Sequence, residues 1–194
     1  MQIAPDTKIT LTGDLGSGKS AVSQILCEKT GFEYVSTGRI QRRLAQALGL
    51  DTLEMNKRAD IDPSIDERID SIFASLGHDP EGYVVDSRMA WFFLPNSFKV
   101  FLRTDVAVAA QRILHDPSRD TEQYASQEEA VQKIIERKNS ENARFLKKYG
   151  ADSTNPDNFD LVIDTGNRTR EAVAALILEA IEAKEKGVPM VKIW

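Results

Sequence analysis

The chain has 194 residues, 41% hydrophobic and 28% charged, which are the proportions of an ordinary globular protein. Its net charge of -5 argues against nonspecific binding to nucleic acid or to an anionic membrane, and no apolar run approaches membrane-spanning length. A single cysteine, Cys27, excludes an intramolecular disulfide and favours a reducing cytoplasm. We therefore expect a cytoplasmic protein that forms one domain, residues 1–194, as a monomer or a homodimer.

Short apolar runs that are typical of buried strands alternate with helical patterns along the chain. In chain order, the predicted elements are strand 8–12, helix 19–30, strand 32–36, helix 40–47, helix 63–77, strand 83–86, strand 97–102, helix 106–114, helix 126–149, strand 161–164 and a last helix over 173–181. This alternation predicts a parallel sheet covered by helices on both faces, with right-handed crossovers.

A glycine-rich segment lies between the first strand and the first helix. Its sequence, GDLGSGKS, matches the phosphate-binding pattern G-x-x-x-x-G-K-S. Glycines let backbone N–H groups point at an anion, and the helix N-terminus adds partial positive charge. We expect Lys19 to reach the β- and γ-phosphates and Ser20 to hold Mg²⁺, unless the segment is a turn that binds nothing. The candidate triphosphate-binding residues are Gly13, Asp14, Gly16, Ser17, Gly18, Lys19, Ser20 and Ala21.

The fold class follows from these two observations: a three-layer α/β/α P-loop NTPase fold with a parallel five-stranded sheet. In such sheets the ligand binds at the carboxyl ends of the strands. The segments to examine there, besides the P-loop, are 36–42, 86–88, 103–105 and 164–168.

Arginines recur at these strand ends and on the long helix. They are Arg42, Arg88, Arg112, Arg137 and Arg144. Guanidinium groups hold phosphate oxygens bidentately and stay charged, which suits a site where a phosphoryl group passes between two anionic substrates. Asp86, at a strand end, has the carboxylate that Mg²⁺ prefers. The alternative for the long helix is a solvated, salt-bridged face formed by Arg137, Glu141, Arg144 and Lys148.

The chain resembles the nucleoside monophosphate kinases, and most of all the short-type cytidylate kinases. Four segments match in order over nearly the whole chain. They are GDLGSGKS, YVSTGRIQR, VVDSR, and RKNSENARFLKKYG followed by DLVIDT. The resemblance implies Mg²⁺-assisted in-line transfer of the ATP γ-phosphoryl group to a pyrimidine monophosphate, CMP or dCMP, with ATP and the monophosphate as partners.

The resemblance also implies roles for residues and segments. Thr37, Gly38, Arg42 and Arg88 would bind the acceptor, and Ser20 and Asp86 the metal. Arg112, Asn167 and Arg168 would bind ATP beside the P-loop, and the catalytic residues would be Lys19, Arg88, Arg137 and Arg144. Residues 37–80 would be a helical acceptor-binding insert, and residues 115–150 a lid with its long helix.

Two departures from the family pattern fall on the acceptor side. Arg39 stands where an acidic residue is common, and Ser87 where glycine is common. The acceptor could therefore be AMP, UMP or a non-nucleotide metabolite, and a nucleotide-sensing regulatory protein with little turnover is a further alternative. Asp66 and Asp70 could help to read an acceptor base, although we expect them on an exposed helix face.

Overall fold

The computed structural model describes residues 3–50, 54–55, 58, 61–116 and 124–189, without the side chains of Leu44, Pro63 and Ile69. Five strands form one fully parallel sheet in the order β2-β3-β1-β4-β5. The strands are β1 (Lys8–Gly13), β2 (Glu33–Ser36), β3 (Tyr83–Asp86), β4 (Phe98–Arg103) and β5 (Leu161–Asp164). Since β1 lies at the centre and is followed by the P-loop, this loop leaves the sheet between β3 and β4.

Seven α-helices have their bounds among the described residues. They are α1 (Lys19–Thr30), α2 (Thr37–Ala47), α3 (Pro63–His78), α4 (Ala90–Phe93), α5 (Val106–Leu114), α6 (Gln127–Tyr149) and α7 (Arg170–Glu185). Local sequence sets several of their ends. Asp62 caps α3 by accepting from the N–H of Ser64, with Pro63 in the first turn, and Ser126 caps α6 by accepting from the N–H of Glu129.

The sheet has a hydrophobic cluster on each face, which makes three layers. On one face Leu11 and Val100 pack with Leu26 of α1 and Ile177 of α7. On the other face Val85 and Val162 belong to a cluster with Phe73 of α3, Trp91 of α4 and Phe145 of α6. Two smaller clusters join α5 to α6 and α2 to α3. Because α6 contributes to the second face and also contacts α5, it is held on two sides.

The predicted α/β/α fold with a parallel five-stranded sheet is confirmed. Helices α1 and α5 and strands β3 and β5 have the predicted bounds. Helix α2 begins at Thr37, three residues earlier than predicted, so that its first turn follows directly on β2. The short helix α4 and a 3₁₀ turn at Pro156–Asn158 had no clear periodic signal because they are only four and three residues long. No helix among the described residues is long and apolar enough to cross a bilayer.

Candidate active site

A cavity of about 680 Å³ lies at the carboxyl ends of β1, β2 and β3. Its wall is made by the P-loop, the start of α2, the face of α3 and one face of α6. Twelve residues that the sequence predicted for the site line it: Gly16, Gly18, Lys19, Ser20, Ala21, Thr37, Gly38, Arg42, Asp86, Arg88, Arg137 and Arg144. The tertiary structure thus brings segments from both halves of the chain to one space.

The P-loop backbone takes a form that requires glycine at two positions. Gly13 has φ +146, and a Cβ there would overlap the carbonyl group of Leu102. Gly16 has φ +72, and a Cβ would approach the backbone of Ala109 in α5 to 2.8 Å. Helix α1 then begins after Gly18, with no side-chain cap on its N-terminus. Its first N–H groups therefore belong to the wall of the cavity, which is the arrangement that binds anions.

The side chain of Lys19 folds back over this loop. Its Nζ donates to the carbonyl oxygens of Gly13 at 2.9 Å and of Asp14 at 2.7 Å. The carboxylate of Asp14 is buried and accepts from the N–H of Thr104 at 3.0 Å and from Nζ of Lys138 at 2.7 Å. Lys138 was not predicted for the site. It adjoins Arg137 on α6, and an ion pair to a P-loop residue 124 positions away leaves no local signal.

Ser20 and Asp86 meet beside the P-loop, as their predicted role in metal binding requires. The Ser20 hydroxyl donates to Oδ2 of Asp86 at 3.0 Å, and the Tyr34 hydroxyl donates to the same oxygen at 3.2 Å. Burial and the negative charge of Asp86 raise the pKa of Tyr34. This all-oxygen set suits Mg²⁺, which is held by one or two carboxylates together with water and substrate phosphates. No cluster of three or more acidic, histidine or cysteine ligands occurs among the described residues.

Two of the predicted arginines share one buried carboxylate. Oε1 of Glu141 accepts from Nε of Arg137 at 2.8 Å, and Oε2 lies 3.0 Å from Nε of Arg88. Arg88 also donates through Nη1 to the carbonyl oxygen of Gly13. Glu141 is 5% exposed, so this part of α6 is salt-bridged, as the alternative predicted, but the prediction that it is solvated is wrong.

Burial by itself would raise the pKa of Glu141. The guanidinium groups of Arg88 and Arg137, with a smaller effect from Arg144, outweigh it and lower that pKa to about 2. Glu141 is therefore ionised at neutral pH, and its one negative charge is paired with the two positive charges of Arg88 and Arg137. All three side chains line the cavity, where the excess positive charge can attract phosphate groups.

The far end of the cavity joins α3 to α6. Asp66 is 5% exposed and pairs with Lys148 at 3.2 Å and with Arg144 at 3.8 Å. Asp70 accepts from the Tyr149 hydroxyl at 2.8 Å, and both aspartates line the cavity. The expectation that they lie on an exposed helix face is wrong, because α6 covers that face of α3. Burial raises the pKa of Asp70, against the lowering effect of the Tyr149 hydrogen bond.

The start of α2 forms the side of the cavity next to β2. The Thr37 hydroxyl donates to the carbonyl oxygen of Asp86 at 3.5 Å, and a Cβ at Gly38 would lie 3.5 Å from Nη1 of Arg42. Arg42 is exposed and lines the cavity. Arg39, the departure from the family pattern, lies with its guanidinium 4.9 Å from the centre of the Tyr34 ring.

The three candidates for ATP binding that are not part of the P-loop, Arg112, Asn167 and Arg168, lie on its other side, outside the cavity lining. Arg112 donates to the carbonyl oxygens of Gly16 at 3.3 Å and of Thr165 at 2.7 Å. It thereby ties the P-loop to the segment after β5, where Asn167 and Arg168 are exposed. The predicted roles of these three residues stay predictions.

The fold and the cavity define a P-loop phosphotransferase with room for a second substrate beside the P-loop. Comparison with known proteins gives the family. The model of the cytidylate kinase-like family matches residues 8–167. A cytidylate kinase of Sulfolobus acidocaldarius is 37% identical over 179 residues, which cover 91% of this chain and 95% of that protein.

One further relative and one solved structure show how far the similarity extends beyond the cytidylate kinases. An S-adenosylmethionine-dependent nucleotide dehydratase of Lacinutrix mariniflava is 37% identical over 177 residues, covering 89% of this chain but only 35% of that longer protein. The structure of a shikimate kinase from Acinetobacter baumannii, in complex with shikimate, superposes with a TM-score of 0.61. It is 19% identical and covers 92% of this chain and 94% of that one, so it supports the fold alone.

The chain belongs to the cytidylate kinase-like family. It is a kinase, a phosphotransferase of the nucleoside monophosphate kinase class, and its substrates are nucleotides. The identity of the acceptor and the roles of individual residues are matters for proposal.

Proposed function

We propose that this kinase transfers the γ-phosphoryl group of ATP to CMP or dCMP. The observation that carries the proposal is the lining of the cavity at the carboxyl ends of the strands. It joins the P-loop to a second set of arginines and ends at Asp66, which is buried, and Asp70, which is half-buried. This order from one end to the other matches a triphosphate, an acceptor phosphate and a base.

The donor phosphates would lie along the P-loop and the N-terminus of α1. Lys19 would exchange its two loop carbonyl partners for phosphate oxygens, which are stronger acceptors because they are charged. Ser20 and Asp86 would hold Mg²⁺, which neutralises charge on the transferring phosphoryl group when bound. Arg112, Asn167 and Arg168 would flank the nucleoside of ATP on the outer side of the loop.

The acceptor phosphate would lie between α2 and the loop after β3. Arg42 and Arg88 line this part of the cavity from opposite elements, with Thr37 and Gly38 at the amino end of α2. Two guanidinium groups and a helix N-terminus together favour a dianionic phosphate. At Ser87, the other departure, the side chain is buried, and its Oγ accepts from the N–H of Met89 at 3.3 Å.

The base of the acceptor would lie between Asp66, Asp70 and Arg144. Cytosine presents an amino group that donates and two atoms, N3 and O2, that accept. A carboxylate accepts from the amino group and a guanidinium donates to the acceptors, whereas uracil presents a carbonyl oxygen where cytosine has the amino group. Asp66 and Asp70 therefore favour cytosine over uracil.

Transfer itself would depend on position and charge. Arg88, Arg137 and Arg144 would neutralise the negative charge that accumulates between donor and acceptor, and no side chain is needed as a general base. Helix α6, which carries two of these arginines, belongs to the segment 115–150 that we propose as the lid. Its closure would exclude water that would otherwise hydrolyse ATP.

A coupled assay with ATP, Mg²⁺ and a panel of acceptors tests the proposal. The panel contains CMP, dCMP, UMP, AMP and shikimate, and Lys19→Ala serves as the background control. We expect kcat/KM for CMP or dCMP to exceed that for UMP by about a hundredfold, since the unmatched base leaves buried polar groups unpaired. A preference for UMP, AMP or shikimate would contradict the acceptor assignment, and ATP binding without turnover would favour a sensor.

A further inference from the structure

Glu141 stands out among the residues that the proposed mechanism does not use. It is a fully ionised carboxylate, 5% exposed, at the centre of α6, and it lines the cavity. Each of its oxygens contacts a different arginine: Oε1 accepts from Nε of Arg137, and Oε2 lies beside Nε of Arg88. Those two arginines are among the three that the proposed function places at the transferring phosphoryl group.

The two arginines come from different parts of the fold. Arg137 lies one helical turn before Glu141 on α6, whereas Arg88 follows β3 and also donates to the P-loop carbonyl of Gly13. Through the side chains of Arg137 and Arg88, Glu141 thus connects helix α6 to the carboxyl end of β3. Since both contacts are to Nε, the carboxylate fixes where each guanidinium group lies relative to the P-loop.

Stability alone is a poor reason for this arrangement. Removing a carboxylate from water costs several kcal/mol, and a buried ion pair often does no more than offset this cost. Without the carboxylate, however, Arg88, Arg137 and Arg144 would repel one another across the cavity, and their long side chains would adopt many rotamers. The carboxylate of Glu141 therefore offsets this repulsion and keeps the arginines close together before any phosphate is bound.

We propose that Glu141 is a positioning residue, which holds Arg88 and Arg137 in the places where they act on the transferring phosphoryl group. The proposal rests on the proposed function. Glu141 does not contact the substrates in this role; it fixes the distance between a helix-borne and a sheet-borne guanidinium group. Both guanidinium groups would then contact the transferring phosphoryl group at the same time.

The first test is a kinetic double-mutant cycle in the full chain. Glu141→Gln keeps the shape of the side chain but removes its charge, and we expect kcat to fall about 10- to 100-fold because a small misplacement of catalytic groups has effects of this size. The KM for ATP should change less than about threefold, since Lys19 and the P-loop stay intact. In an Arg137→Ala background the same Glu141→Gln change should lower kcat by a smaller factor than in the wild type, because only the part of its effect that passes through Arg88 remains.

The controls separate position from folding. Glu136→Gln removes an exposed carboxylate of the same helix that pairs with Lys133, and it should leave kcat unchanged. Glu141→Asp restores the charge on a shorter side chain, and we expect it to recover part of the lost kcat. Thermal melts of each variant check that it is folded. Provided that the wild type turns over CMP, either of two results would overturn the proposal. One is an unchanged kcat in Glu141→Gln, and the other is a loss of kcat in the double variant equal to the product of the losses in the two single variants.

The second test needs no turnover. In ¹⁵N–¹H spectra of the arginine Nε–H groups, assigned with Arg88→Lys and Arg137→Lys, the wild-type signals of both arginines should be protected from exchange with water. Both should lose this protection in Glu141→Gln. If the wild type transfers a phosphoryl group to no monophosphate, the proposed function fails, and this measurement still decides whether Glu141 restrains the two arginines. Signals that keep their protection in Glu141→Gln would refute the restraint.

Discussion

The two ends of the cavity are built in different ways. The proposed donor end is made by eight consecutive residues, 13–20, whose backbone is constrained by glycines and followed by a helix N-terminus. The proposed acceptor end is made by side chains from α2, α3, α6 and the loop after β3, and its pairs join residues 79 and 82 positions apart. The first end is therefore local in sequence, whereas the second is assembled across the fold.

Lys19→Ala is the largest expected break at the donor end. The change removes the side chain that we propose to contact the β- and γ-phosphates, and we expect kcat/KM to fall by about a thousandfold. Lys19 is half-buried, and it donates to carbonyl oxygens and a hydroxyl of its own loop, so the fold should persist. The coupled assay measures the loss. Lys29→Ala, at the exposed end of the same helix, is the matched control, and kinetics like wild type in Lys19→Ala would refute the phosphate role.

Arg42→Ala tests whether the two ends are separable. Loss of a charged hydrogen bond to one substrate should raise the KM for the monophosphate about 10- to 100-fold and leave the KM for ATP nearly unchanged. Steady-state kinetics with each substrate varied in turn provide the comparison. Arg170→Ala removes an exposed arginine that pairs with Glu171, far from the cavity, and should change neither KM. Equal increases in both KM values for Arg42→Ala would mean that the acceptor phosphate lies elsewhere.

Asp70→Asn sharpens the comparison at the base. The amide can still accept from the Tyr149 hydroxyl, but it also presents a donor, which suits the carbonyl oxygen of uracil better than the amino group of cytosine. We expect the ratio of kcat/KM for CMP to that for UMP to fall about tenfold. Glu67→Gln, an exposed carboxylate of the same helix, should leave the ratio unchanged. A constant ratio in Asp70→Asn would show that this aspartate does not face the base.

The smallest expected effect concerns stability in acid. The pKa of Glu141 is lowered in the folded protein from 4.5 to about 2. Its charge therefore contributes stability above about pH 4.5, and this contribution is lost as the pH falls towards 2, because the unfolded chain takes up the proton more readily. The melting temperature of the wild type should fall more steeply between pH 4.5 and 2 than that of Glu141→Gln. Parallel curves for the two proteins would contradict the ionised, arginine-held state of Glu141.

The sequence predicted which segments meet at the cavity better than it predicted the burial of charged residues on α3 and α6. The P-loop, Asp86, Arg42 and Arg88 meet in one cavity, as the rule for parallel sheets predicts. Glu141, Lys138 and the environment of Asp66 were missed or misjudged. In a helical sequence a carboxylate near arginines has the same pattern whether its face is solvated or covered, so only the packing of α6 against α3 and the sheet edge distinguishes the two.

By itself, the sequence determined the alternation of strands and helices, the P-loop and the residues that follow each strand, because glycine spacing, apolar runs and helix caps act through neighbouring residues. The tertiary structure alone decided the strand order, the burial of Glu141 and the pairing of α6 with α3. These depend on long-range packing, because α6 lies over the cavity and its charged side chains form a network with carboxylates and arginines there instead of facing water.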